Sequence, residues 1–159
     1  MNEFGELAYK IIKYNFKEDA ARFPISYVSG WLETNLGALN TATRQNFSVG
    51  DSGDFYPSSL CLEEEVIFTK LYSIHYYNKS ARDVLRGVVW SSAGEANDDW
   101  SSIKEGDTFI QRQSKTSIAK ALSSEAAKEE ESLKHLLYNY NWNKSDPSQV
   151  YGDDADTYA

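Results

Sequence analysis

Apolar residues near the start of the chain recur at intervals of three and four. Phe4, Leu7, Ala8, Ile11 and Ile12 form one stripe, which predicts an amphipathic helix from Glu3 to Asn15. A second helix is expected to open at Pro24, because a missing amide costs no hydrogen bond in the first turn. Its stripe is Ile25, Val28, Leu32, Leu36 and Leu39, and Gly37 weakens it without ending it. Over residues 40–58 the pattern is lost. Gly50, Gly53 and Pro57 stand among polar side chains, with Phe47 and Phe55 as isolated aromatics. About nineteen residues without periodicity predict a loop that is functional or ordered by a partner.

The third helix has the strongest signals. Ser58 or Ser59 can cap it, Glu63, Glu64 and Glu65 stand near its positive end, and Arg82 and Arg86 near its negative end. Leu60, Ile67, Leu71, Ile74, Ala81 and Leu85 make its apolar face, and Gly87 offers a left-handed stop. Residues 88–99 read as a polar linker, and Thr108 to Gln113 alternates too briefly to define a strand. A last helix is expected from Lys115 to Asn141, with Ile118, Leu122, Ala126, Leu133, Leu136, Leu137 and Tyr140 as its stripe. Glu129, Glu130 and Glu131 read as a solvated charge run. Beyond Trp142 the chain turns polar, and such a segment does not order alone. The pattern predicts a mainly α fold. A small bundle of about four helices spans residues 1–142, with a long central loop at 40–58 and an extended C-terminal arm at 143–159.

A chain of 159 residues has room for one core. It carries 24 Asp and Glu against 16 Lys and Arg, a net charge of −8 and a pI near 4.8. Such a surface repels phosphates unless its basic residues cluster. Lys79, Arg82 and Arg86 lie on neighbouring turns, and Arg112, Lys115 and Lys120 surround the start of the last helix. Without a long basic run, Arg82, Arg86, Arg112 and Lys115 read as inter-subunit ion-pair candidates, and no specific nucleic-acid recognition is expected. No apolar run approaches a membrane span, and the opening MNEFGELAYK lacks the pattern of a secretory signal. Composition therefore predicts a cytosolic protein without a cofactor.

Few residues suit catalysis. One cysteine, Cys61, and two widely spaced histidines, His75 and His135, exclude an internal disulfide framework and make a dedicated metal cage improbable. Nucleophile-elbow, Walker and Gly-x-Gly-x-x-Gly patterns are absent. Asp51-Ser52-Gly53-Asp54 lacks the further ligands of a calcium loop and reads as a turn. The histidines read as packed or surface residues, and Cys61 stands between a helix dipole that lowers its pKa and glutamates that raise it. No enzyme is expected.

Aromatics make up 14% of the chain, with 11 Tyr and 4 Trp, residues enriched where proteins meet. Tyr138, Tyr140 and Trp142 fall on different faces of one helix, more than a single core can bury. Phe47 and Phe55 either anchor the central loop in a partner's pocket or fold back onto the bundle. In the arm, Pro147 favours an extended entry. Tyr151 and Tyr158 are spaced for separate pockets, and Asp153 and Asp154 are placed to meet basic residues of a partner.

Three stretches, WLETNLGALN (31–40), EEEVIFTKLYSIHYYNKSARDVLRG (63–87) and FIQRQSKTSIAKALSSEAAKEEESLKHLLYNYNWNKSDPSQVYGDD (109–154), together resemble small neck or head-to-tail connector (adaptor) proteins of tailed bacteriophages. The resemblance implies a virion protein assembled in the host cytoplasm. It would form a homo-oligomeric ring, twelve-fold in that family, beneath the portal protein, joining head to tail and lining the DNA passage. Its partners would be the portal and other neck or tail proteins, with the terminal arm docked on a neighbour. An acidic lining would keep the duplex from sticking during ejection. The alternative is a free-standing acidic helical interaction protein, a regulator or inhibitor of another protein.

Overall fold

A computed structural model describes residues 2–16, 24–86, 102–105, 108–111 and 115–145; for 102–105, 108–111, Lys115 and Ser145 it describes the backbone alone. The chain is mainly helical, as its periodicity predicts. The elements are α1 (Glu3–Asn15), α2 (Ile25–Thr34), α3 (Leu36–Thr43), β1 (Ser48–Val49), β2 (Phe55–Tyr56), α4 (Leu62–Leu85), β3 (Ser102–Glu105), β4 (Thr108–Gln111) and α5 (Lys115–Ser145). The strands form two separate antiparallel hairpins, β1 with β2 and β3 with β4.

α1 has the bounds its stripe predicts. Asn2 caps it, its Oδ1 accepting the Gly5 amide at 3.0 Å. The expected second helix is two helices, α2 and α3, divided at Asn35 (φ −102°, ψ 16°). The apolar stripe runs through the division, with Val28, Leu32, Leu36 and Leu39 all buried. At the division the Trp31 carbonyl accepts both the Asn35 amide at 2.9 Å and its Nδ2 at 2.8 Å, and the next turn tightens to an i→i−3 bond from the Ala38 amide to the Asn35 carbonyl at 2.9 Å. Gly37 lies inside α3 and ends nothing. α3 then continues to Thr43, four residues into the segment expected to be loop, and closes on Arg44 in the left-handed region (φ 55°).

The central segment is ordered against the bundle. The Asn40 side chain grips Phe47 by both backbone groups, accepting its amide at 2.9 Å and donating to its carbonyl at 2.7 Å. The β1–β2 turn closes through Gly50 N–H to the Asp54 carbonyl (2.8 Å) and holds Gly53 at φ 77°, a conformation suited to glycine. This turn docks on the first turn of α1. Asp54 Oδ1 accepts the Glu3 amide at 2.9 Å, and Asn2 Nδ2 donates to the Gly53 carbonyl at 2.9 Å. In return Glu3 accepts the Phe55 amide at 2.8 Å and the Ser59 hydroxyl. The Glu3 amide, then the Ser52 side chain, hold the Asp54 carboxyl below its usual range. The Asp51–Asp54 stretch is thus a turn whose last carboxylate satisfies an open helix amide.

α4 is capped by Cys61 rather than by Ser58 or Ser59. The Cys61 amide donates to Glu64 Oε2 at 2.8 Å, the reciprocal bond of a capping box. Leu85, assigned to its apolar face, is exposed. Ile118, near the start of α5, is exposed as well. Gly87 and residues 88–99 lie outside the described residues. α5 runs to Ser145, past the expected end at Asn141 and three residues into the segment assigned to an arm.

Three runs of contacts set the packing. α5 lies antiparallel to α4, joined by Tyr140 to Glu64 at one end and Lys70 Nζ to Glu129 Oε2 (2.7 Å) further along. α1 runs parallel to α4, through Glu3 to Ser59, Lys10 to Glu65 (2.8 Å) and the ring of Phe16 to that of Tyr76 (centroids 4.9 Å). α2 runs antiparallel to α4, with Tyr27 against Lys79 and Trp31 against Tyr72. Lys70 and Tyr72 are two residues apart, so they point about 160° apart around the helix. α5 therefore lies on one flank of α4 and the α1–α2 pair on the other. Phe4, Ile11, Leu32, Leu39, Phe68 and Tyr72 are fully buried between them, each contributing about 1.5–3 kcal/mol of burial.

Candidate assembly surfaces

The residues proposed from sequence as assembly contacts fall into three groups. Phe47 and Phe55 are 8% exposed and belong to the core, with the Phe55 ring 4.1 Å from that of Phe4. They fold back onto the bundle and are not docking anchors. Their backbones are held by Asn40, seven positions from Phe47, and by Glu3, 52 positions from Phe55. Arg82 and Arg86 are exposed on the last turns of α4. Arg82 Nε donates to the Asn78 carbonyl at 3.2 Å, and neither arginine has an ion-pair partner among the described residues. Lys115 begins α5, described by its backbone only. Arg112, Tyr151, Asp153, Asp154 and Tyr158 lie outside the described residues.

The structure adds two aromatic surfaces. On α5, three rings two residues apart alternate in environment. Tyr140 is 3% exposed and points at α4, whereas Tyr138 and Trp142 are 67% and 65% exposed and stack on each other with centroids 6.1 Å apart. Helical rotation places rings two residues apart on nearly opposite faces, so this separation was legible in the sequence. On α1, Tyr9 and Tyr14 are exposed, with Lys13 Nζ 5.7 Å and 5.6 Å from their ring centroids. These tyrosines carried no sequence signal beyond falling off the apolar stripe. The two surfaces lie on the two flanks of α4.

Polar groups elsewhere serve the fold. Glu64 is buried and accepts both the Tyr140 hydroxyl and the Cys61 amide. Burial first, then the bond to Glu64 and its charge, push the Tyr140 hydroxyl pKa well above its usual value. His75 packs beside Trp31 (centroids 5.0 Å), and its buried Nε2 has no hydrogen-bond partner. Cys61 is exposed at the start of α4. Among the described residues no group of three or more His, Cys, Asp or Glu side chains could hold a metal ion, and no helix is long and apolar enough to cross a membrane. No family model, curated protein or solved structure matches the chain.

Proposed function

We propose that the chain is a structural subunit of a tailed-phage neck, a ring-forming head-to-tail connector that sits beneath the portal and acts through assembly rather than catalysis. One observation carries the reading beyond the sequence resemblance: exposed aromatic surfaces occupy two opposite flanks, Tyr9 and Tyr14 on α1 and Tyr138 and Trp142 on α5. A ring is built from heterologous contacts, in which one face of each subunit meets a different face of the next. Such a subunit needs two contact surfaces pointing apart, and aromatic residues are those that interfaces favour. The acidic balance of −8 fits a passage through which DNA must slide without binding. The segment after α5, which lies outside the described residues, is in this reading the part that contacts the portal or a neighbour.

The test is co-expression with the portal protein encoded in the same genome, followed by negative-stain imaging of the purified complex. A closed ring of this chain seated on the portal is the expected result. A one-to-one complex with some other single protein, and none with the portal, would instead support a free-standing acidic regulator.

A further inference from the structure

The outward face of α5 is complementary to itself when turned end for end. Ser124, Ala127, Glu131, Lys134, Tyr138 and Trp142 are all exposed. They recur at intervals of three and four, so they form one stripe. It lies away from the seam of Ala126, Leu133 and Tyr140 that is buried against the rest of the molecule. From Ser124 to Trp142 it is about 27 Å long. Its two halves differ: small side chains precede the Glu131 and Lys134 pair, and large stacked rings follow it.

Set two such helices antiparallel with Glu131 of one facing Lys134 of the other. The same step places Lys134 of the first against Glu131 of the second, Tyr138 over Ala127, and Trp142 over the Ser123–Ser124 pair, each contact made twice. Opposite charges meet at the centre, and each large ring lies over a small residue. Parallel pairing would set Glu131 against Glu131 and Tyr138 against Tyr138, so charge and volume both select the antiparallel register. A chain of net charge −8 repels its own copies in general, and the alternation of sign within this stripe removes that penalty locally.

We propose that a second copy of this chain docks on this face, the two α5 helices pairing about a two-fold axis between residues 131 and 134. A two-fold contact cannot close a ring. The pair is therefore the state of the free chain, covering the Tyr138–Trp142 surface until a ring neighbour takes it. The pairing itself does not depend on the connector reading.

Sedimentation equilibrium of the isolated full chain, with no portal protein present, tests the proposal. The mass should rise with concentration from 18.0 kDa to twice that value and stop there. Glu131→Lys alone and Lys134→Glu alone should each leave a monomer, because like charges then meet across the axis. The combined Glu131→Lys/Lys134→Glu chain should pair again. Tyr138→Ala/Trp142→Ala should be monomeric with an unchanged helical circular-dichroism spectrum, since both rings are exposed. A wild-type chain that stays monomeric, a combined swap that does not regain the dimer, or a Tyr138→Ala/Trp142→Ala chain that associates like wild type overturns the proposal. A failure to bind portal would count against the connector reading alone.

Discussion

The Tyr140 hydroxyl donates to the buried carboxylate of Glu64, which also accepts the amide of Cys61. One side chain thus ties the last turns of α5 to the cap of α4. Tyr140→Phe removes a donor and leaves a buried acceptor short of a partner, with an expected loss of about 1–3 kcal/mol in urea denaturation. The Tyr140 hydroxyl should also stay protonated in a spectrophotometric titration through the ordinary tyrosine range near pH 10, because burial and the adjacent Glu64 disfavour its anion. Loss below about 0.5 kcal/mol would show that the bond contributes nothing net.

His75 gives the fold an acid-sensitive point. Its pKa lies below the usual value because burial disfavours the charged ring, and Lys79 and Arg82 add repulsion. The unfolded chain takes up this proton near pH 6.5, while the folded chain resists it. Stability from this group is therefore complete above about pH 6.5 and declines as the pH falls below that value toward the folded pKa. Denaturation at about pH 7.5 and pH 5 should show wild type losing more stability than His75→Phe, the difference cancelling the shared effect of carboxylate protonation. Equal losses in the two proteins would remove His75 from the account.

Phe47 and Phe55 sit in the core, so truncation should destabilise the fold. Phe47→Ala and Phe55→Ala are each expected to lower the unfolding free energy by about 3 kcal/mol. A variant that melts like wild type would place its ring outside the core.

Two backbone positions predict opposite responses. Arg44 holds a left-handed conformation at the end of α3, which costs a residue with a Cβ about 1–2 kcal/mol. Arg44→Gly should raise stability by about 0.5–1 kcal/mol after the entropic cost of glycine. Gly53→Ala should lower it, since its φ is 77° and an added Cβ would stand 3.1 Å from Asn2 Nδ2. Thermal melts of the two variants would decide both, and a destabilised Arg44→Gly would contradict the first.

What the sequence made legible was local. The α1 stripe and its Asn2 cap mark the helix locally, although the amide of Glu3 is satisfied by Asp54, 51 positions away. The interruption at Asn35 was hidden by the continuity of Leu32, Leu36 and Leu39, which serve one long helix or two short ones equally well. Cys61 is not an obvious cap, because thiols are weak hydrogen-bond acceptors, although Glu64 three positions later is the signal of a capping box. The burial of Phe55 depends on Glu3, 52 positions away, and no local pattern encodes that meeting. Of the candidate surface, the outward rings of α5 follow from spacing alone. Their relation to Tyr9 and Tyr14 required knowing which flank of α4 each helix occupies.

The tie between Glu64 and Tyr140 spans 76 positions, and this has a meaning for synthesis. A ribosome adding about 5–20 residues per second needs roughly 4–15 s to travel from one to the other. Once Leu85 has been added, α1 to α4 are complete for the rest of that interval while Leu133 and Tyr140, which complete the core, have not been made. The nascent chain must carry an open wall, with the Glu64 carboxylate still in water and an apolar cleft accessible to holdase chaperones. How long that wall stays open is set by the pace of translation.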